Sequence, residues 1–240
     1  MNTKKNLAVI LAGGAGTRIG GDLPKQFMEL EGKLILGHTL DRFELHPRVD
    51  DIFLVTNREY MDMTETFIKE NGYRKVLKVL AGGKVRQDSS RVGVMAADAS
   101  EYENILIHDA ARPFISRSLI DTILDTLEKY RAVNVAIPSA DTILEIDDAH
   151  LIRSVPDRNF LRRAQTPQSF KLDLIRQAHQ LALQNNITDS SDDCLLISRL
   201  KLDTVFVVEG DPLNIKITYP MDMGIAEVIF RHFVYDNHGR

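Results

Sequence analysis

The chain has 240 residues, 44% of them hydrophobic and 27% charged, and a formal net charge of −4. That length buries a substantial core, and the mild negative charge excludes a general attraction to nucleic acid or to an anionic membrane surface. The single cysteine, Cys194, excludes an internal disulfide and a cysteine-rich zinc site, and it suits a reducing cytoplasm.

MNTKKN leads directly into an apolar run too short for a signal peptide, and no apolar stretch approaches the ~20 residues of a membrane span. The first strand-like run, LAVILA at 7–12, ends in Gly13, Gly14 and Gly16, with Arg18 just behind. Bare backbone followed by a guanidinium is what phosphate recognition needs, because glycine lets main-chain N–H groups approach the oxygens. The loop is not a P-loop, since no Lys-Ser/Thr follows. Nor is it a dinucleotide fingerprint, whose last glycine would fall on Ile19. LPKQF adds a second cation, Lys25. The alternative reading is a glycine-rich β–α turn with solvated charges.

Further strand-like runs follow at 51–56, 75–81, 104–110 and 134–138, nearly continuous in apolar residues as in strands covered on both faces. AGGKVRQDSS, after the third run, is another Gly-Gly turn, with Gly82, Gly83 and Arg86. Asp88, Ser89 and Ser90 there read either as helix caps or as groups that read a base or phosphate. HDAARPF, after the fourth, sets Asp109 three residues before Arg112, as a phosphate and metal site or as an internal salt bridge. His108 lacks partners for a metal or a general base and reads as structural. Residues 118–130 have helical apolar spacing, with Ser116 or Ser118 as cap.

After Pro138 the rhythm changes. Residues 139–155 read as two short extended pieces around an Asp-Asp turn, a β-arm spanning about 139–160 and projecting from the sheet. SVPDRNFLRRAQTPQSF is crowded with Arg158, Arg162 and Arg163. A helix at 172–184, strands at 204–210 and 214–218, and a last helix from near Met221 complete the pass. The alternation of strand and helix predicts an α/β fold, a Rossmann-like, mainly parallel sheet with right-handed connections. No linker divides residues 1–240, so one domain with an arm is expected.

Open parallel sheets bind ligands at the carboxyl ends of their strands. Arg18, Arg86, Asp109, Arg112 and Thr142 all follow such ends, and Lys216 lies in a late strand-like run. Two glycine loops, several cations and no Ser-His-Asp or Cys-His nucleophile point to phosphoryl or nucleotidyl transfer by positioning and electrostatics.

LAGGAGTRIG and LPKQF resemble the signature of nucleotide-sugar pyrophosphorylase-like nucleotidyltransferases. With GGKVRQDS, HDAARPF, the Asp141-Thr142 pair, VPDRNFLRRAQTPQSF, SDDC and GDPLNIKIT, the ordered set resembles the 2-C-methyl-D-erythritol 4-phosphate cytidylyltransferases and the related ribitol 5-phosphate cytidylyltransferases. The resemblance covers about residues 6–230. It implies CTP plus a polyol phosphate giving a CDP-polyol and pyrophosphate, with Mg²⁺, in a homodimer that exchanges β-arms; the composition already points to a cytoplasmic protein that binds neither nucleic acid nor membrane. By position it implies catalytic roles for Arg18, Lys25 and Lys216. It gives CTP contacts to Ala12, Gly13, Gly14, Ala15, Gly16, Gly83, Arg86 and Ser89. It gives polyol-phosphate contacts to Asp109, Arg112, Thr142, Arg158 and Thr166, with Arg158 donated by the partner subunit. Asp109 and Asp222 are the carboxylates it brings toward the metal. DAARP, the GGKVRQDS pattern and VPDR look more like the methylerythritol enzymes. The Gly13-Gly14 pair, LPKQF, TPQSF and Cys194 within SDDC are reminiscent of the ribitol group. Methylerythritol phosphate is the expected polyol and ribitol phosphate the alternative. A regulatory nucleotide-binding module without catalysis is a third reading, opposed by the presence of Lys25, Asp109, Arg158 and Lys216.

Overall fold

The apolar run at 7–12 forms a strand because it has two hydrophobic faces to cover. In the computed structural model, which describes residues 4–14 and 23–237, this is β1, Lys5–Ala12. Ala8, Ile10 and Ala12 pack into one apolar layer, and Leu7, Val9 and Leu11 into the opposite one. Strand geometry sends alternate side chains to opposite faces, so a continuous apolar run marks a strand buried between two helical layers.

A hairpin of β2 (Glu29–Leu30) and β3 (Lys33–Leu34) leads into α1 (Ile35–Glu44). Then come β4 (Asp51–Thr56), α2 (Met61–Glu70), β5 (Val76–Ala81), α3 (Arg86–Met95), β6 (Tyr102–Asp109), α4 (Arg117–Thr126) and β7 (Ala132–Pro138). The arm carries β8 (Glu145–Ile146) and β9 (Ile152–Ser154). The chain continues through β10 (Arg162–Lys171), α5 (Leu172–Gln184), α6 (Asp193–Arg199), β11 (Phe206–Glu209) and α7 (Pro220–Asn237). Ser116 caps α4 by accepting from the Leu119 N–H, as its place in the sequence predicts.

The central sheet has seven strands in the order β11-β7-β10-β6-β1-β4-β5. Every neighbouring pair is parallel except those of β10, which runs antiparallel to both β6 and β7. Helices α1 and α4 bury one face, and α3, α5 and α6 the other. A third apolar cluster, including Leu30, Phe114, Ile217 and Ile229, ties α7 to the β2–β3 hairpin and to the segment before α7.

Two features depart from the sequence reading. β10 falls in a stretch whose arginines and polar residues gave no strand signal. The run at 214–218, expected as a strand, is irregular. Its hydrogen bonds go elsewhere: the Ile217 N–H donates to the Ala111 carbonyl at 2.9 Å, and the buried Asn214 side chain donates to the Thr166 carbonyl at 3.0 Å.

Candidate functional site

The carboxyl ends of β1, β5 and β6 open onto a cavity of about 720 Å³. Ala12, Gly13 and Gly14 line it from the first loop, Lys25 and Gln26 from the short 3-10 turn Lys25–Phe27. The buried Gln26 amide donates to the carbonyls of Ala12 and Gly14, the latter at 3.2 Å. One side chain thus fastens the glycine loop to the next structured turn.

The second glycine loop closes against Ser89. Gly82 N–H donates to the Thr56 carbonyl at 2.7 Å. Gly83 N–H donates to Ser89 Oγ at 3.2 Å, and that hydroxyl donates to the Val85 carbonyl at 3.3 Å. A Cβ on Gly82 would lie 2.7 Å from Ser89 Oγ, so only glycine lets the loop fold down here. The capping expected of Asp88, Ser89 and Ser90 is not found. The helix starts earlier, its cap position is Val85, and no side chain caps it. The three residues lie within its first turns, which turns Ser89 back to the loop and frees Ser90 for a buried contact described below.

Asp109, at the end of β6, is the electrostatic centre. Its Oδ1 accepts from Arg86 Nε at 3.3 Å and its Oδ2 from Lys216 Nζ at 2.6 Å. Burial by itself would favour the neutral acid. The charges of Arg86 and Lys216 outweigh that and hold the carboxyl well below the usual carboxylate range. Arg86 also reaches Asp193, Nη1 to Oδ2, at 2.7 Å. Burial opposes its charge, but Asp193 and Asp109 outweigh burial and keep it firmly protonated.

His108 lies behind this cluster, fully buried. Thr166 Oγ1 accepts from the Asp109 N–H at 3.1 Å, which leaves its proton to donate to His108 Nδ1, also at 3.1 Å. His108 Nε2 then carries the other proton, toward the Arg112 carbonyl at 3.0 Å. This is a neutral imidazole between two satisfied partners, and burial lowers its pKa to about 4. The structural role read from the sequence is what the geometry gives it.

Of the residues singled out in the sequence, Ala12, Gly13, Gly14, Lys25, Gly83, Arg86, Ser89, Asp109 and Lys216 share the cavity. Ala15, Gly16 and Arg18 lie outside the described residues. Thr166 sits behind Asp109. Arg112 is also set back, its Nη1 donating to the Asn214 carbonyl at 2.7 Å. Thr142 and Arg158 are exposed, at the base of the arm and in the 3-10 turn Arg158–Phe160, and neither lines this cavity. Asp222 Oδ2 accepts from the N–H groups of Thr218 and Tyr219, at 2.7 and 2.8 Å. It fastens the entry to α7 and is not a lining residue.

Among the described residues no cluster of three or more His, Cys, Asp or Glu side chains is arranged to hold a metal. Asp109 is a cavity carboxylate, and both its oxygens face cations. That donor set does not make a protein cage. It fits a hard divalent cation held mainly by a ligand's phosphates, with Asp109 as a single protein carboxylate.

Several lining residues carried no signal in the sequence reading: Asn57, Lys84 and Thr218. Gln26 stood inside the quoted LPKQF without a role, as Asp193 did inside SDDC and Asn214 inside GDPLNIKIT.

Comparison with known proteins bears on what the cavity holds. The family model for 2-C-methyl-D-erythritol 4-phosphate cytidylyltransferase (IspD) matches residues 7–232. A protein of that name from Geotalea uraniireducens is 42% identical over 226 residues, 93% of this chain and 96% of the relative. The bifunctional ribulose 5-phosphate reductase/CDP-ribitol pyrophosphorylase Bcs1 of Haemophilus influenzae is 37% identical over 242 residues, 99% of this chain. The chain spans about half, 51%, of that relative's length. Among solved structures, 4-diphosphocytidyl-2C-methyl-D-erythritol synthase from Anaerococcus prevotii superposes with a TM-score of 0.84 at 30% identity, covering 95% of this chain and 96% of that one.

Proposed function

The chain belongs to the 2-C-methyl-D-erythritol 4-phosphate cytidylyltransferase family, and from that premise we propose that it joins CTP to 2-C-methyl-D-erythritol 4-phosphate, releasing pyrophosphate. The observation that carries this reading is the shared cavity: two glycine loops, Lys25 and the ion-paired Lys216 and Asp109 face one space. A phosphate oxygen of the polyol attacks the α-phosphorus of CTP. One P–O bond forms, the bond to the bridging oxygen breaks, and pyrophosphate leaves with the electron pair. The substrate supplies the nucleophile, which accords with a cavity whose lining offers cations and main-chain N–H groups.

In this reading the glycine loops and Lys25 hold the triphosphate. Gly83, Arg86 and Ser89 contact the cytidine. Lys216 stabilises the charge that grows on the α-phosphate, and Arg18 acts beside it. Mg²⁺, when bound, supplies charge neutralisation between phosphates, and Asp109 is the carboxylate placed to approach it; Asp222 is the weaker candidate, being engaged at the start of α7.

The same proposal includes a homodimer exchanging arms. Ile143, Leu144, Ile146, Leu151, Ile152 and Phe160 are all exposed along the arm, Phe160 at 86%. An apolar strip of that length supports burial against a second copy. Thr142 and Arg158, which do not line their own chain's cavity, then contact the polyol phosphate of the partner, where Arg112 and Thr166 support the same subsite. An intracellular nucleotide as substrate supports a cytoplasmic setting.

The ribitol reading has its own observation, the 37% identity to a CDP-ribitol pyrophosphorylase over 99% of the chain. Pyrophosphate release from CTP with each polyol phosphate decides. The methylerythritol substrate should give the higher kcat/KM, and CTP should be preferred over ATP, GTP and UTP. A reversed polyol ranking moves the chain to the ribitol reading. No pyrophosphate with either polyol overturns both.

A further inference from the structure

The SDDC stretch has no part in the reaction as described, yet Asp193 within it is 1% exposed and carries an ionised carboxylate. Each of its groups is engaged. Oδ2 accepts from Arg86 Nη1 at 2.7 Å. Oδ1 accepts from Ser90 Oγ and lies 3.4 Å from His179 Nε2. Its backbone N–H donates to Gln168 Oε1 at 2.8 Å. α6, α3, α5 and β10 all contribute to holding one anion in a place that water does not reach. Its outlet toward the cavity is Arg86, whose guanidinium bridges Asp193 on one side and Asp109 on the other.

Lys216 is 2.6 Å from Asp109, so an ammonium that moves to a nucleotide phosphate must leave that carboxylate. Asp109 then needs another counter-charge, because an uncompensated buried carboxylate is strongly disfavoured. Arg86 is positioned to be that charge, provided its Nε stays on Asp109 while the guanidinium faces the cavity. We propose that Asp193 is a positioning residue: it anchors Arg86 so that Arg86 neutralises Asp109 while Lys216 transfers to the phosphates of CTP. The inference rests on the cytidylyl-transfer reading and adds to it a residue that touches neither substrate.

The test is a double-mutant cycle on Asp193→Asn and Arg86→Ala, read in steady-state kinetics and in thermal denaturation. Asp193→Asn should lower kcat by about ten-fold or more while the KM for CTP changes by less than about three-fold, since misplacement acts on the transition state. In an Arg86→Ala background the same change should cost no further activity. Equal losses in both backgrounds would show that Asp193 serves only as scaffold and would overturn the proposal, as would wild-type kcat in Asp193→Asn. Should Asp193→Asn fail to fold, Ser90→Ala removes one donor to the same carboxylate. It should give a smaller fall in kcat that vanishes with Arg86 absent, and an undiminished fall in that background overturns the idea. The denaturation arm separates this from the activity itself. Wild-type protein that releases no pyrophosphate sinks the cytidylyl-transfer reading. Additive melting shifts for Asp193 and Arg86 sink the anchoring pair whatever the protein catalyses.

Discussion

At the scale of single residues, the two lysines reach the cavity from different supports. Lys216 is held by Asp109 at 2.6 Å and is 37% exposed, so meeting a phosphate would draw it from one anion to another. Lys25 stands on the turn that Gln26 fastens to the glycine loop and lines the cavity. Both are expected to meet charge that grows as the α-phosphorus is attacked, so alanine at either should lower kcat by about 10²–10³, roughly 3–4 kcal/mol, with a smaller change in the KM for CTP. Single-turnover rates at saturating CTP measure this, and near-normal turnover in both variants would rule it out. Lys25 was legible as a second cation close behind the glycine loop, and Lys216 as a cation within a strand-like run. Asp193 was not, because its partner Arg86 is 107 positions away and nothing in SDDC points to it.

At the scale of elements, the arm carries the strongest expectation. Arg158 begins a short turn just after β9, exposed and away from the cavity of its own chain. If it serves the partner, Arg158→Ala should raise the KM for the polyol phosphate far more than that for CTP, and lysine should not replace its bidentate fork. Mixing then gives a sharper outcome. Arg158→Ala and Lys25→Ala chains, each strongly impaired at sub-saturating polyol phosphate, should regain activity on subunit exchange, because one site of each heterodimer holds both intact residues. No recovery means that Arg158 acts in its own chain. The parallel strands were visible as apolar runs, and the arm as a break in rhythm. β10 was invisible because Gln165, Thr166 and Gln168 are buried polar residues satisfied by tertiary partners rather than by an apolar pattern. The run at 214–218 failed in the opposite sense: strand-like composition, but its carbonyl and amide partners lie at Arg112, Ala111 and Thr166.

For the whole molecule, buried histidines set the response to acid. His38, His46 and His108 all have pKa values lowered first by burial, His108 from 6.5 to about 4. The unfolded chain therefore takes up protons below pH 6.5 that the native state refuses, and stability falls as pH drops from there toward 4. His108 alone accounts for on the order of 3 kcal/mol of that loss. Melting temperatures measured between pH 7 and about 4 should fall, and His108→Gln should flatten the slope by up to one proton. An unchanged slope would contradict the buried neutral assignment. Asp109 and Asp193, held low by their cations, contribute only in stronger acid.

The reversed strand β10 also governs the order in which the molecule can be completed. It sits between β6 and β7, yet the ribosome makes it after both and after the whole arm. Until residues 162–171 emerge, β7 has neither β10 nor the later β11 to pair with, and β6 presents an open edge. The nascent chain therefore carries these unpaired strand edges at the moment when the apolar arm is already outside the ribosome. Closing the sheet is therefore a late event in biosynthesis, and the exposed strand edges of the earlier segment wait on residues 162–171.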